Sequence, residues 1–362
     1  MRIALVAAFA VSLAGPASAA TGLFDLSARK AVLQSMDYDG VRQSCLAIAA
    51  DPAWRNLEPV PALTPTEGYG SDQRAEAFGW AVMVLGGRAL GGDLDSTSAL
   101  KTLLLRWADA GALRATEPAH DAYFALKRAL LPTVVNYAII RDGLSPAERT
   151  KIDGWLDPMV RAVDKRFDGD VDDNNHRILA DAVQSVWGSV IGDAKLYAKG
   201  AERYRATLGG AREDGGLPLE IRRGSRALWY QRLALSGLTI IAETAATHGD
   251  DLYAVEVDGR GYDRVLGYFI SALRAPVLVQ ASAAANYIPG PQADYLGQDF
   301  SFLKRRPHGR HYMAFSEAIA PRETTEFAHQ RLAALIVAGP AGERPLIDDF
   351  IGGNATCFWG QP

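Results

Sequence analysis

Two short segments carry side chains that could act together in catalysis. The first contains Asn175 and His176 at an expected helix start, and the second contains Arg223, Arg226 and Tyr230. Together they offer an amide, an imidazole, two guanidiniums and a phenol. If the second segment is helical, its spacings of three and seven residues put the three side chains near one helix face.

This set of groups favours β-elimination on a uronate. The C5 proton is weakly acidic because the C6 carboxylate is already anionic, so a catalyst must first neutralise that carboxylate. An Asn amide and an Arg guanidinium can do so electrostatically. A base then removes the C5 proton and an acid protonates the departing O4. His176 and Tyr230 can supply both steps, so no cofactor is expected.

Other classes of site lack their signatures. One His beside an Asn lacks the paired ligands of a zinc site, so no metal is expected. No Gly-rich phosphate loop follows a strand, and no G-x-S-x-G elbow is present. The formal net charge of −4 is unfavourable for generic nucleic-acid binding. A polyanionic ligand therefore requires positive charge concentrated in a cleft.

Alternative interpretations of the same residues remain open. Asn175 and His176 could simply cap a helix, and Tyr230 could be a half-buried core residue. Glu220 with Asp172 or Asp173 could serve an inverting glycoside hydrolase. A non-catalytic protein that binds an exopolysaccharide in the periplasm is a third possibility. The basic run 304–311 is expected to be a loop with a solvated face, or to steer an anionic polymer.

Several motifs resemble those of one enzyme family, the mannuronate-preferring alginate lyases of polysaccharide lyase family 5. They are an Asn-Asn-His at 174–176, the stretch Gly215–Tyr230 that is similar to "G-x-L-P-x-E-x-x-R…R-A-L-x-Y", and Trp107–Leu113. Tyr69–Asp72 and, more faintly, Tyr312–Glu317 add to the resemblance. It covers about residues 65–255.

The resemblance implies a fold and a set of roles. The fold is all-α, an incomplete α/α toroid of antiparallel helical hairpins with a deep cleft. Asn175 and Arg223 would neutralise the carboxylate, and His176 would act near C5 as a base or a further neutraliser. Tyr230 would be the acid, and also the base in a syn elimination. Tyr69 would lie on an N-terminal lid near residues 60–75.

Some positions depart from the family pattern and bear on the substrate. Ile178 stands where the family usually has an aromatic residue, and Lys127-Arg128 where it has Lys-Trp. We therefore expect Tyr69, Lys127, Arg128 and Arg226 to contact the sugar. Mannuronate-rich alginate is expected to be cleaved, though not necessarily as the preferred polymer.

Hydrophobic periodicity predicts helices throughout the chain. Ala122–Ile140 has apolar residues at spacings of three and four, with Pro132 expected to kink or divide it. Ser145 and Glu148 form a capping-box pattern. Only Leu252–Val257 and Ala275–Gln280 suggest short strands.

The N-terminal residues and the two cysteines bear on where the protein is found. Residues 1–19 have the pattern of a secretory signal peptide, and residues 20–362 are expected to form one lyase domain. The protein is therefore expected in the periplasm or secreted, free of the membrane after cleavage, and as a monomer whose partner is an acidic polysaccharide. Cys45 and Cys357 could pair in an oxidising compartment or remain as thiols.

Overall fold

A computed structural model describes residues 22–63, 73–169, 174–285, 295–322 and 327–362. The expected signal peptide and Asp172 and Asp173 lie outside the described residues. So do Tyr69 and most of the expected lid.

The described residues fold mainly into α-helices, as predicted. The helices are α1 (Leu26–Leu33), α2 (Asp39–Leu46), α3 (Gln73–Leu90), α4 (Leu94–Asp109), α5 (His120–Arg141), α6 (Pro146–Arg166), α7 (Asn175–Ile191), α8 (Ala194–Gly209), α9 (Pro218–Ile221), α10 (Ala227–Ala246), α11 (Tyr262–Arg274), α12 (Val277–Ala283), α13 (Ser316–Ile319), α14 (Phe327–Ala338) and α15 (Ala355–Trp359). Two small antiparallel pairs join β1 (Glu256–Val257) to β2 (Arg260–Gly261) and β3 (Ile347–Asp348) to β4 (Gly353–Asn354).

Successive helices form antiparallel hairpins in two layers. In the inner layer α3 packs on α5, α5 on α7 and α7 on α10, while α4, α6 and α8 lie outside them. Burial follows this arrangement: α7 is buried at every position from Asn175 to Val190 except Arg177, whereas α4 buries one face. A helix that is apolar all round belongs inside, and a one-faced helix belongs outside. The chain is therefore an α/α toroid, which confirms the predicted fold class.

Small residues allow the inner helices to approach closely. A Cβ added at Gly237 of α10 would lie 2.7 Å from Cγ2 of Ile178 on α7. A Cβ added at Gly188 of α7 would lie 2.6 Å from the backbone nitrogen of Tyr197 on α8. Both distances are shorter than any side chain tolerates, so these glycines fix the spacing between α7 and its two neighbours.

Local sequence patterns predicted the start of a helix correctly where a capping residue marks it. Ser145 and Glu148 form the expected capping box at the start of α6. Pro132, however, does not divide α5, which packs against α3, α6 and α7. The loss of one helix hydrogen bond is small against the burial that holds this helix in place.

The two predicted strands were mostly wrong. Most of the second candidate, Ala275–Gln280, lies in α12 (Val277–Ala283), which begins directly after Pro276. Of the first candidate only Glu256–Val257 is a strand, because Leu252–Ala254 forms a 3-10 helix. Short apolar runs do not distinguish strands from buried helical turns.

No single helix among the described residues is long and apolar enough to cross a membrane. Helices α11 and α12 meet that length and composition test only when taken together, and they are bent by 106° at their junction.

The two cysteines form a disulfide that joins the ends of the chain. Cys45 on α2 and Cys357 on α15 are 312 residues apart in sequence, with their Cα atoms 5.3 Å apart. Arg29 strengthens the same junction, since its guanidinium donates to the carbonyl oxygens of Thr356, Cys357 and Gly360. The disulfide left open by the sequence is thus present.

Reduction of this disulfide should lower the free energy of unfolding by about 2–4 kcal/mol, because the bond closes a very long loop in the unfolded chain. Urea unfolding of the oxidised and reduced protein measures the difference. A Cys45→Ala/Cys357→Ala variant is the control, and its stability should not respond to reductant. Equal stability of the oxidised and reduced wild type would contradict the prediction.

Candidate active site

The site is built around the N-terminus of α7. Asn174 caps this helix, and its side chain accepts a hydrogen bond from the backbone N–H of His176 at 2.8 Å. Asn175 and His176 follow in the first turn and are both buried. The expected helix start is therefore present, but Asn174 and not Asn175 is the capping residue, and it fixes the two residues that follow it.

Glu220 of α9 holds the amide of Asn175. One carboxylate oxygen accepts from the Asn175 backbone N–H at 2.5 Å, and the other accepts from its side-chain Nδ2 at 2.9 Å. Since a carboxylate only accepts hydrogen bonds, the Asn175 side-chain atom that faces Glu220 must be the amide nitrogen and not the amide oxygen. One amide N–H of Asn175 is thereby hydrogen-bonded within the protein.

Glu220 is only 1% exposed. Burial raises the pKa of Glu220 to about 7, against the hydrogen bonds from Asn175 and the charges of Arg223 and Lys127, which favour ionisation. A raised carboxyl pKa means that stability is greatest below the ordinary value of 4.5 and falls as the pH rises through 7.

Glu220→Gln should remove this pH dependence. Between pH 4.5 and pH 7.5 the free energy of unfolding of the wild type should fall by about 3 kcal/mol relative to the variant. Urea unfolding of both proteins across this range makes the measurement, and comparing them cancels the other titrating groups. A difference that stays flat with pH would show that Glu220 titrates alike in the folded and unfolded states.

His176 lies in a pocket of two aromatic rings and one amine. Its ring is 4.9 Å from that of Phe124 and 5.8 Å from that of Phe167. Nζ of Lys127 is 3.1 Å from His176 Nδ1 and 2.9 Å from the His176 carbonyl oxygen. The imidazole is therefore fixed from the side of Nδ1.

Arg223 and Tyr230 meet although the segment between them is not one α-helix. Gly224–Arg226 forms a 3-10 turn, and α10 begins only at Ala227. The turn places the Arg223 guanidinium carbon 3.8 Å from the centre of the Tyr230 ring. The single helix face considered for Arg223, Arg226 and Tyr230 is thus wrong as a geometry, while the pairing of Arg223 with Tyr230 is present.

Two buried polar atoms of this group have no hydrogen-bond partner within the described part of the chain. They are Asn175 Oδ1 and Arg223 Nε. Buried polar atoms without partners are costly and rare in folded proteins. An acceptor and a donor left in this state are suited to the hydroxyl and carboxylate groups of a bound sugar acid.

The expected substrate-binding residues have different environments. The Lys127 side chain is buried beneath His176. Arg128 is also largely buried, where its Nε donates to Asp349 at 2.7 Å. Arg226 is 41% exposed, 4.0 Å from Asp299, with its guanidinium carbon 5.5 Å from the Trp229 ring. Tyr69 lies outside the described residues.

Sequence reasoning missed an aromatic and basic group next to the site. Trp229 lies edge-on to Tyr312 at 4.9 Å, with the Arg306 guanidinium carbon 5.7 Å from its ring. The sequence feature that could have revealed this group is the basic run 304–311. The expectation that this run is solvated is wrong for Arg310 and His311, which are buried, with Arg310 3.2 Å from Asp349.

Burial alone would raise the pKa of Asp349, but the guanidiniums of Arg128 and Arg310 hold it below its ordinary value.

No group of three or more His, Cys, Asp or Glu side chains is placed to hold a metal ion in the described ranges.

Comparison with known proteins relates the site to a family. Residues 104–277 match the family model described as alginate lyase. A polysaccharide lyase of Stenotrophomonas maltophilia (strain K279a) is 29% identical over 202 residues, which cover 55% of this chain and 60% of that protein. An alginate lyase of Azotobacter vinelandii (strain DJ / ATCC BAA-1303) is also 29% identical over 202 residues, 52% of this chain and 51% of the relative. The chain thus spans only part of the length of these relatives.

Solved structures share the fold. Alginate lyase A1-III from Sphingomonas species A1 superimposes with a TM-score of 0.76 at 22% identity, over 95% of this chain and 96% of that one. Two variants of A1-III, each complexed with tetrasaccharide, superimpose with TM-scores of 0.75 at 22% identity over the same shares. In one variant a tyrosine is replaced by phenylalanine, and in the other a histidine by alanine. The family model and the two relatives thus make residues in the middle of this chain similar to alginate lyases, and the solved structures share its toroid fold.

Proposed function

We propose that this protein is a polysaccharide lyase that cleaves a 4-linked uronate polymer by β-elimination. The observation that carries the proposal is the stacking of the buried Arg223 guanidinium on the Tyr230 ring, beside an Asn175–His176 pair held by Glu220 and Lys127. These side chains can neutralise a carboxylate and transfer protons by themselves.

The contacts support one role for each of these residues. Arg223 Nε and the amide of Asn175 bind the C6 carboxylate, so that negative charge can develop on it. Tyr230 reaches C5 and O4 with its phenol oxygen. The guanidinium beside its ring stabilises negative charge on that oxygen, which suits a group that must give and take a proton. The C5 proton leaves, the C4–O4 bond breaks, O4 is protonated and a C4=C5 double bond remains.

Two substituted residues in the structural neighbours support the assignment. In A1-III the tyrosine and the histidine that were replaced for the tetrasaccharide complexes are 54 residues apart, and His176 and Tyr230 have the same separation.

The hydrolase alternative is weaker, because both oxygens of Glu220 accept hydrogen bonds from Asn175. A group engaged in this way is poorly placed to protonate a glycosidic oxygen.

For the substrate we propose mannuronate-rich alginate, with tolerance for other polyuronates. Ile178 is buried against α10, so this departure from the family pattern does not form a sugar-contacting wall. Arg226 and Arg306 stand beside Trp229, where they add positive charge. Positive charge of this kind attracts the carboxylate that every uronate carries, so by itself it does not select one epimer.

Purified protein should therefore act on polymannuronate and also on a second polymer among polyguluronate and polyglucuronate. Relative kcat/KM values, followed by the ultraviolet absorbance of the unsaturated product, make the comparison. Exclusive cleavage of polymannuronate would refute the tolerance. Each assay is repeated after exhaustive chelation, and activity restored by one particular divalent ion would refute metal independence.

We also propose that the protein works outside the cytoplasm, as a monomer in the periplasm or secreted. The Cys45–Cys357 disulfide supports this location, since such bonds persist in oxidising compartments.

A further inference from the structure

We infer that Asp168, which lies outside the candidate site, is a positioning residue for that site. Its carboxylate holds the segment 167–169, which follows α6, against the first turn of α7, and this keeps the Phe167 ring stacked on His176. The catalytic meaning of the inference rests on the proposed function, in which His176 belongs to the site. The stacking itself depends only on contacts within the protein, so it can be measured without any lyase activity.

Phe167 forms one wall of the pocket that holds His176. Its side chain is fully buried, and its ring lies 5.8 Å from that of His176 with the two planes only 15° apart. Nζ of Lys127 lies 3.8 Å from the centre of the same ring. Because close-packed groups move together, a shift of the Phe167 backbone would displace the imidazole and the amine beside it.

Arg177 ties the backbone of the segment to the start of α7. Its Nε donates to the carbonyl oxygen of Phe167, and its Nη2 donates to that of Gly169 at 3.0 Å. Arg177 directly follows His176 in the chain. The residue next to the imidazole therefore determines how close the segment lies, and its orientation depends on the carboxylate that faces its remaining nitrogen, Nη1.

Asp168 supplies that carboxylate, and three cationic side chains surround it. Arg177 Nη1 lies 3.6 Å from Oδ1, and Arg203 Nη2 donates to the same oxygen. Nζ of Lys199 lies 3.3 Å from Oδ2. Burial would raise the pKa of Asp168, but the charges of Arg203 and Lys199 hold it below its ordinary value. Since Arg203 and Lys199 belong to α8, the carboxylate joins the segment to α7 and α8 at once.

Arg203 is itself fixed by two further carboxylates. Its Nη1 lies 2.9 Å from Asp164 Oδ1 on α6 and 2.5 Å from Asp181 Oδ1 on α7. The Arg203 side chain is 11% exposed and that of Asp181 only 1%. A planar guanidinium binds carboxylates in fixed directions, so its contacts with the two helices set the direction in which it meets Asp168.

The exposure of Asp168 makes it the residue to substitute. Its side chain is 48% exposed, so the loss of its charge leaves no buried ion without a partner. Removing Arg203, in contrast, would leave the buried Asp181 carboxylate unpaired and could unfold the protein. Asp164→Asn is the matched control, because Asp164 pairs with the same Arg203 and Lys199 but lies within α6, ahead of the segment.

Asp168→Asn should loosen the segment while circular dichroism shows a folded protein. The His176 ring-proton shifts, which depend on the stacked Phe167 ring, should then move toward those of a Phe167→Leu variant. NMR of the full-length mature protein labelled in its histidines measures these shifts, and His176→Ala assigns the signals among the six histidines. Asp164→Asn should keep the wild-type shifts. Wild-type shifts in folded Asp168→Asn would overturn the inference.

In Asp168→Asn kcat should fall about tenfold with little change in KM, the effect of a displaced site group rather than of a lost substrate contact. Asp168→Glu keeps the charge and should recover most of the activity, and Asp164→Asn should turn over as wild type. Wild-type kcat in folded Asp168→Asn would overturn the positioning role. A wild type without lyase activity would contradict the proposed function alone, since the NMR comparison would still decide whether Asp168 positions His176.

Discussion

Tyr230→Phe should bind polymer normally and lose turnover by about 10³-fold, within the range expected for a lost general acid or base. The phenol is the group that transfers the proton, and phenylalanine keeps the ring that stacks on Arg223. The fold and the carboxylate site should therefore survive. Polymer affinity measured by calorimetry, beside kcat from the ultraviolet assay, separates the two effects.

Tyr204→Phe is the matched control for this variant. Tyr204 is fully buried on α8, and its hydroxyl has no partner within the described residues. Removing it should leave kcat unchanged. If Tyr230→Phe keeps a tenth or more of wild-type turnover, another group transfers the proton, and His176 becomes the first candidate.

Arg223→Ala should lower kcat/KM by about 10²–10³-fold, the usual cost of losing one donor aimed at developing negative charge. The effect should appear in kcat, because the carboxylate gains charge in the transition state. Arg223→Lys should recover only part of the activity, since an ammonium lacks the planar fork of the guanidinium.

The neighbouring Arg222 provides the control, because it is exposed where Arg223 is 1% exposed. Arg222→Ala should behave nearly as wild type. Circular dichroism of the Arg223 variants tests whether the loss of stacking on Tyr230 has disturbed the fold. Near-normal turnover by folded Arg223→Ala would exclude this residue from carboxylate neutralisation.

The sequence predicted the helices because helix signals are local, whereas the toroid was implied by the family resemblance. The capping box at Ser145 and Glu148, the cap at Asn174 and the apolar periodicity of α5 and α6 each depend on residues a few positions apart. Pro132 did not divide α5, and the residues of α12 were misread as a strand, because packing from distant helices decided their conformation. The disulfide stayed open because it joins α2 to α15 across the whole chain.

The candidate site residues were chosen from the sequence, and their geometry was predicted only in part. The spacing of Arg223 and Tyr230 suggested proximity, which a 3-10 turn achieves in place of a continuous helix. The support of Asn175 by Glu220 and of His176 by Lys127 was missed. These contacts join α7 to α9 and α5, so no local pattern contains them.

The central claim is that the polymer is cleaved by elimination, and the mass of the products formed in H₂¹⁸O tests it most directly. Elimination adds no water, so one new end should carry the unsaturated uronate, lighter by one water than a saturated product, and no ¹⁸O should enter at the break. Incorporation of one ¹⁸O atom per cleaved bond, with saturated ends, would show hydrolysis and contradict the account.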